Sequence, residues 1–381
     1  MKTKPLQVLH ILRPGIGGAA RHLELLLQNR DTPDIEFSLI ASPLEDPVFP
    51  EKLRPYVKRL WVIPLERQFA PWKDFCAFCR IFWILLHYPF DIVHTHASKA
   101  GLLGRVAAFL LGIRQRFYTP HGFYFHYQIS PRQKRFYFAM ERILAILTTR
   151  VFCVTQEEAQ QAQALYPSRK ISMIPNALDA LAFQQASSRP LLDFPVPLDA
   201  FGIVMIARFT PPKDPFTLLR AFAQVAPQFR QAVLVFAGEG ELLAESQALA
   251  HALEISERTF FLGQRSDVPA LLRWSRFSVL SSYWEGLPYT LLESLAGECT
   301  VIASDIPGHL QVIQDGLQGR IFRTGDPSHL ARVLEELLHS PLEAQHLAEK
   351  GREWVLKNFE IQSWWSRFSQ EYLRNSAPQK K

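Results

Sequence analysis

Cysteine is scarce in this sequence: four occur among 381 residues, Cys76, Cys79, Cys153 and Cys299, at irregular spacing. That placement offers no disulfide framework and suits a reducing compartment. Cys76 and Cys79 form a CxxC, but no second Cys or His pair stands at zinc-ligand spacing, so both are expected as core or groove-facing thiols of the apolar stretch 75–86. Long apolar runs are lacking too. The longest are broken by Arg80, by Arg105 and by Glu141-Arg142, short of the ~20 residues of a spanning helix. The first residues, Met1-Lys2-Thr3-Lys4, run straight into a strand pattern with no leader-like segment. A cytoplasmic protein, at most peripheral at the inner face of the plasma membrane, is the expectation. No helix-turn-helix, finger or aromatic RNA motif accompanies the basic residues, so nucleic acid is not an expected partner.

What is present is unevenly charged. Residues 1–190 carry 24 Lys and Arg against 14 Asp and Glu; the rest carries 18 against 22. The N-terminal half is therefore the one expected to meet an anion, such as a membrane surface or a lipid pyrophosphate. Two stretches strengthen this. Residues 131–150 combine Arg132, Lys134, Arg135 and Arg142 with Phe136-Tyr137-Phe138, and residues 72–88 bring Trp72, Phe75, Phe78, Phe82 and Trp83. Each reads either as a membrane-surface helix or as a helix packed on a sheet.

Short apolar strands alternate with amphipathic helices along the whole chain, at 6–12, 37–41, 91–95, 115–119, 151–154 and 171–174, then 201–206, 232–237, 259–262, 277–280, 300–303 and 320–322. The fold class is α/β: two doubly wound parallel-sheet domains, expected to face one another across a cleft. The proline-rich, aperiodic stretch 184–200 reads as the linker, giving domains 1–190 and 191–360. An aromatic helical segment, 361–381, is expected to cross back to the first domain.

Three motifs stand at strand ends. Gly15-Ile16-Gly17-Gly18-Ala19-Ala20 follows strand one and opens a helix, where backbone N–H groups can approach a phosphate. It matches GxGxxG/A loosely, but the second strand ends Leu39-Ile40-Ala41-Ser42 without the acid that a nicotinamide cofactor needs. Arg208 and Lys213, five positions apart after the strand 201–206, can grip a diphosphate. Glu285-Gly286-Leu287-Pro288-Tyr289-Thr290-Leu291-Leu292-Glu293 places one acid before a helix and another inside it.

That last motif is similar to the E-x7-E of retaining glycosyltransferases. With Val301-Ile302-Ala303-Ser304-Asp305, Gly238-Glu239-Gly240 and Ile174-Pro175-Asn176 in order, the chain resembles glycosyltransferase family 4 from Gly15 to about Leu338. The resemblance implies the GT-B fold and a nucleotide-diphosphate sugar, UDP being the expected base. It implies that Arg208 and Lys213 hold the diphosphate, that Glu293 takes the ribose hydroxyls, and that Glu285 meets the donor sugar. Gly17 and Gly18 would lie on the phosphates, Gly286 to Thr290 would line the donor, and His121 would border sugar and acceptor. Asp214 stands where the family usually has Gly.

Val93-His94-Thr95-His96-Ala97-Ser98-Lys99, with His121-Gly122-Phe123, looks like the capsule and exopolysaccharide enzymes of this family. This implies a polyprenyl-linked or oligosaccharide acceptor, with His96, Ser98 and Lys99 on the acceptor side. His94 and His96 show no third ligand in the sequence, and the family works without metal; neither metal nor cofactor is expected. Retention by a same-face displacement, the leaving phosphate helping to take the acceptor proton, suits a site with no second acid placed as nucleophile. A sugar-nucleotide 2-epimerase of the same architecture, or a non-catalytic nucleotide-sugar-binding protein, are the alternatives.

Overall fold

The computed structural model describes residues 4–374 apart from 14, 30–32, 127–128, 192 and 198–199. It divides into two units, Met1–Asn176 with Gln362–Lys381, and Ala177–Ile361.

Unit 1 runs β1 (Leu6–Leu12), α1 (Gly18–Gln28), β2 (Ile35–Ala41), α2 (Phe49–Leu53), β3 (Arg59–Val62), α3 (Pro71–His87), β4 (Ile92–His96), α4 (Ser98–Leu110), β5 (Gln115–Thr119), α5 (Pro131–Leu147), β6 (Arg150–Cys153), α6 (Gln156–Gln163) and β7 (Ile171–Met173). Its strands lie in the order β3-β2-β1-β4-β5-β6-β7, every pair parallel. Unit 2 runs α7 (Ala180–Ser187), β8 (Phe201–Ile206), α8 (Pro215–Val225), β9 (Ala232–Ala237), α9 (Leu243–Ala252), β10 (Thr259–Phe261), α10 (Val268–Trp274), β11 (Phe277–Leu280), α11 (Tyr289–Ala296), β12 (Thr300–Ser304), α12 (Pro307–Leu310), β13 (Arg320–Phe322), α13 (Pro327–His339) and α14 (Pro341–Asn358). Its strand order is β10-β9-β8-β11-β12-β13, again all parallel. α15 (Ile361–Arg374) ends the described chain.

The strands form where the sequence is continuously apolar, as burial on both faces of a parallel sheet requires. β9, Ala-Val-Leu-Val-Phe-Ala, is buried at every position. Helices begin at side-chain caps: Ser130 and Gln133 close a capping box on α5, and Thr155, Asp179, Asp214 and Asp326 cap α6, α7, α8 and α13.

Three sequence expectations differ from the structure. β3 was not expected; it is a four-residue edge strand, and no position in it is fully buried. The stretch 184–200 is not all linker, because α7 occupies Ala180–Ser187 and buries Phe183 in the unit 2 core. The division accordingly falls at Asn176, ahead of residue 190. Cys76 and Cys79 are neither core nor groove thiols but lie exposed on α3, which buries Ala77, Ile81, Ile84 and Leu85 instead.

From Gln362 onward α15 packs within unit 1. Phe368 and Tyr372 are fully buried, Trp364 packs edge-on to His22, and Arg150 pairs with Glu371 at 2.9 Å. Arg105 of α4 forks onto Glu141 of α5, 3.1 Å to each carboxylate oxygen, and lies over the Tyr118 ring at 3.8 Å. This buried, hydrogen-bonded pair fixes α4 and α5 in one layer.

Candidate functional site

In both sheets the strand order reverses beside the first strand, between β1 and β4 and between β8 and β11. Open parallel sheets bind ligands outside the carboxyl ends of strands at such switch points. Most of the residues singled out from the sequence lie there.

In unit 2, β8 leads into the loop 207–214. Phe209 is buried against Phe236 and Phe261, which anchors the loop and leaves Arg208 exposed. β11 leads into the loop 281–288. Two hydrogen bonds join these loops: Ser281 Oγ donates to the Asp214 carbonyl at 2.7 Å, and Tyr283 N–H donates to the Pro212 carbonyl at 2.8 Å. The join brings Lys213 onto Glu285 as a direct ion pair, and Ser282 Oγ donates to the same carboxylate oxygen at 2.8 Å. Burial alone would raise the Glu285 carboxyl; the Lys213 ammonium, with His309 behind it, outweighs burial and holds it below the ordinary range. Glu285 is therefore ionised at neutral pH.

Gly286, Leu287 and Pro288 connect this acid to α11, which opens with Tyr289 and Thr290 and carries Glu293 one turn in, partly buried. Asp214, where the family pattern has Gly, sits at φ +45° and caps α8 by accepting from Thr217 N–H at 3.2 Å. Aspartate is one of the few side chains that tolerate this backbone region.

Gly308 and His309 were not singled out from the sequence. α12 packs so tightly on the 285–286 backbone that a Cβ on Gly308 would meet the Gly286 carbonyl at 1.9 Å. His309 is fully buried and donates from Nδ1 to the Ser304 carbonyl at 3.0 Å. Its Nε2 is left with a lone pair and no partner among the described residues. Burial lowers its pKa to about 4 against the pull of Glu285. The available signal was Pro307-Gly308-His309 just past the carboxyl end of β12.

In unit 1 the corresponding place is built from histidine. The β1–β4 register sets His10 beside His94 and Leu12 beside His96. His121, at φ +54°, follows β5, and His22 comes from α1. All five have pKa values lowered by burial, His10 to about 3 and His22 to about 4, so all are neutral at pH 7. His10 Nδ1 lies 3.0 Å from His96 Nε2, and His96 Nδ1 lies 3.3 Å from His121 Nε2.

The buried Nε2 of His10 has no partner among the described residues. Stranding a lone pair there costs less than stranding an N–H. The protons therefore run outward: His10 donates to His96, His96 donates to His121, and His121 keeps its own proton on Nδ1. His22 donates from Nδ1 to Asn176 Oδ1 at 3.1 Å, while His94 is held between Tyr372 and Thr119 at 2.8 Å each. Glu158 fixes the turn after His121 by accepting from Gly122 and Val154 N–H, each at 2.7 Å; burial pushes its carboxyl up to about 7. His10, His22 and Glu158 were missed because nothing in their local sequence announces them.

The sequence expectation that His94 and His96 lack a third candidate ligand is corrected here. His10 with His94 and His96, and His22 with His96 and His121, each bring three ring nitrogens within 4.8 Å. Gly17 caps α1 at φ +85° with no side-chain hydrogen bond, leaving the backbone of Gly17 and Gly18 exposed at the helix start. Ser98 opens α4. Lys99 is not free: it pairs with Asp74 at 2.6 Å and donates to the Gln68 carbonyl at 3.0 Å.

Residues 193–354 match the family described as Glycosyl transferases group 1, and residues 17–177 match the Glycosyl transferase 4-like domain. The chain is 30% identical over 316 residues to EpsD of Bacillus subtilis, named as a glycosyltransferase, covering 80% of this chain and 82% of that one. The chain belongs to the group 1 glycosyltransferases. It is also 29% identical over 334 residues to the UDP-Gal:alpha-D-GlcNAc-diphosphoundecaprenol alpha-1,3-galactosyltransferase of Escherichia coli, covering 84% of this glycosyltransferase and 85% of that enzyme. Among solved structures, Anabaena HepE in complex with UDP and glucose has a TM-score of 0.80 at 18% identity, covering 96% of this chain and 99% of that one. The glycosyltransferase thus has two Rossmann-like units of the GT-B fold. No helix among the described residues is long and apolar enough to cross a membrane.

Proposed function

We propose that this glycosyltransferase is a family 4 enzyme that moves a hexose from a UDP-sugar to a polyprenyl-diphosphate-linked or oligosaccharide acceptor, with retention, in cell-surface polysaccharide synthesis. The observation that carries the reading is the Lys213–Glu285 pair, held at the unit 2 switch point by loops joined through Ser281 and Tyr283. Lys213 and the exposed Arg208 offer two cations to a diphosphate, and Glu285 an ionised carboxylate to the sugar that it carries. The relatives favour this donor and acceptor. The Escherichia coli enzyme is named for UDP-Gal and an undecaprenol diphosphate acceptor, and HepE was crystallised with UDP.

Glu285 is tied to Lys213 and Ser282, which suits electrostatic support better than attack on carbon. The bond from the anomeric carbon to the diphosphate oxygen breaks, the acceptor oxygen bonds on the same face, and the acceptor proton passes to the departing diphosphate. His121, with its proton on Nδ1, donates a hydrogen bond to substrate rather than acting as base. The reaction needs no metal in this reading, since the clustered histidines are hydrogen-bonded to one another, to Asn176, to Thr119 and to Tyr372. It runs in the cytoplasm, with the enzyme peripheral to the inner face of the membrane.

The test is transfer from a panel of UDP-sugars to undecaprenyl-diphosphate-linked N-acetylglucosamine, with proton NMR of the new anomeric centre and a parallel run in chelator. Retention, unchanged by chelator, supports the proposal. An inverted linkage overturns the mechanism. Donor conversion without acceptor would identify a 2-epimerase, and donor binding without turnover a binding protein.

A further inference from the structure

α3, α4 and α5 form one layer on the unit 1 sheet, α4 packing against both neighbours. Each outer helix buries one face in that layer. The opposite face of α3 should then be polar, but it is not. Trp72, Cys76, Cys79, Trp83 and Leu86 follow one another at helical spacing on the exposed side, with Phe75 beside them. Trp72, Phe75, Trp83 and Leu86 are between 53 and 76% exposed. α5 repeats the pattern with Phe136, Ile143 and Ile146, which are 64 to 75% exposed. Phe109 and Leu110, at the end of α4, are exposed as well. An apolar surface of this extent on a water-soluble face is unusual and marks an interaction site.

Charge identifies the occupant. α3 has a single acid, Asp74, neutralised by Lys99. α5 has a single acid, Glu141, buried against Arg105. α4 has none. Arg80, Arg132, Lys134, Arg135 and Arg142 are exposed, and none has an ion-pair partner among the described residues. Three adjacent helices thus present aromatic and aliphatic side chains flanked by unpaired cations, with every acid withdrawn. Lys and Arg can keep their charges at headgroup level while their stems and the indoles enter the acyl boundary. Exposed indoles and aliphatic side chains interleaved with cations on one face match acyl chains lying beneath anionic headgroups.

We propose that the α3–α4–α5 face is a docking surface for an anionic lipid bilayer, with α3 and α5 lying in its interface. α3 spans ~25 Å along that surface. The proposal deepens the reading of a lipid-linked acceptor and rests on it for its purpose, yet vesicle binding is measured with neither donor nor acceptor, so the two can fail separately.

The experiment is flotation of the full chain with phosphatidylcholine vesicles, with and without phosphatidylglycerol, alongside quenching of tryptophan fluorescence by bromine-labelled lipid. The wild type should float with anionic vesicles, and roughly fivefold binding should be lost for each of Arg132, Arg135 and Arg142 changed to Gln. Trp72→Ser with Trp83→Ser should weaken binding at least tenfold, and Trp72→Phe with Trp83→Phe should abolish most of the quenching while the protein still floats. UDP binding by these variants, followed by thermal shift, should stay at the wild-type level and shows that they are folded. Absence of wild-type flotation overturns the proposal. So does binding indifferent to phosphatidylglycerol and to the arginine changes, or quenching that survives the loss of Trp72 and Trp83.

Discussion

The two units share one plan and put different chemistry into it. Each orders its strands outward from the first, and each gathers residues where β1 meets β4 or β8 meets β11. Unit 2 fills that place with charge, an ionised Glu285 against Lys213 with Arg208 nearby. Unit 1 fills it with five neutral histidines, three of which, His10, His96 and His121, are hydrogen-bonded ring to ring. The fold supplies the location and the side chains supply the task. Paired charges suit a diphosphate and the positive charge developing at an anomeric carbon. Neutral hydrogen-bond donors suit an uncharged acceptor hydroxyl.

The largest break in the comparison should come from the charged side. Glu285→Gln should lower turnover roughly 10²- to 10³-fold, the range for removing one electrostatic contact to a transition state, with the UDP-sugar Kd changed far less. Lys213→Ala should weaken the donor itself, by roughly 10- to 100-fold. It also strands a largely buried carboxylate, at a cost of roughly 2 kcal/mol. The double variant Lys213→Ala/Glu285→Gln should therefore be more stable than Lys213→Ala alone. Calorimetry of the three proteins checks this, and strictly additive stabilities would mean that the pair is not coupled.

On the neutral side the effects should be smaller. His10→Phe keeps a ring in the β1 position but removes the donor that begins the chain to His96 and His121. His96 is then free to turn its proton away from His121, and His121 loses its fixed role as donor. Turnover should fall about tenfold with UDP-sugar affinity unchanged, because the proposed donor contacts, Arg208, Lys213 and Glu285, all belong to unit 2. A loss confined to donor affinity would show that the histidine chain serves something else.

Acid should separate the units in a third way. The unit 1 histidines titrate below 6.5 when folded, so the unfolded chain binds more protons between about pH 6.5 and 3. Stability present above that window is lost as pH falls, by about 1.4 kcal/mol per pH unit for each proton taken up. Glu158 acts with the opposite sign: raised to about 7, it makes the folded state bind more protons between 4.5 and 7, so its contribution declines as pH rises. One carboxyl stands against five imidazoles, and the net slope favours acid loss in unit 1. Unit 2 has a single such histidine in its site, His309. Scanning calorimetry from pH 7.5 to 5 should show the unit 1 transition moving down further than that of unit 2.

The same contrast governs what the sequence disclosed. Strands such as β8 and β9 are apolar runs with glycine or polar loops after them, so periodicity alone located them. β3 did not stand out because Arg59–Val62 is short, half-exposed and at a sheet edge, where tertiary pairing rather than pattern makes a strand. Arg208, Lys213 and the two acids of the 285–293 motif were legible as cations and carboxylates near strand ends. That Lys213 meets Glu285, 72 positions on, required the join between two loops. His94, His96 and His121 were legible singly, but the cluster was not, because the five histidines are scattered along the chain and the β1–β4 register, α1 and the turn after β5 together assemble them. Helix polarity was half-legible: α3 read either as a membrane-surface helix or as one packed on a sheet, and the structure buries Ala77, Ile81, Ile84 and Leu85 while leaving Trp72, Phe75, Trp83 and Leu86 exposed.

The smallest effect lies at the two helix starts that occupy the same position in the plan. Gly17 caps α1 with no side chain, and Asp214 caps α8 with its own carboxylate. Both have positive φ, +85° and +45°. Asp214→Gly removes the cap but relieves the backbone, two effects of about 1 kcal/mol that oppose one another. Net stability should move by less than about 0.5 kcal/mol. Asp214→Ala loses the cap without relieving the backbone, so about 1 kcal/mol of stability should go. The converse change, Gly17→Asp, places a carboxylate on the open end of α1. Gly17 stands at φ +85° and ψ −169°, where any side chain is strained, so this change should cost unit 1 about 1 to 3 kcal/mol of stability in either case. If that end receives phosphate oxygens, donor affinity should also drop several-fold, whereas if α1 is merely a turn into a helix, donor binding should be left alone. Thermal shift with and without UDP, on these three variants, distinguishes a helix start that closes on itself from one kept open for an anion.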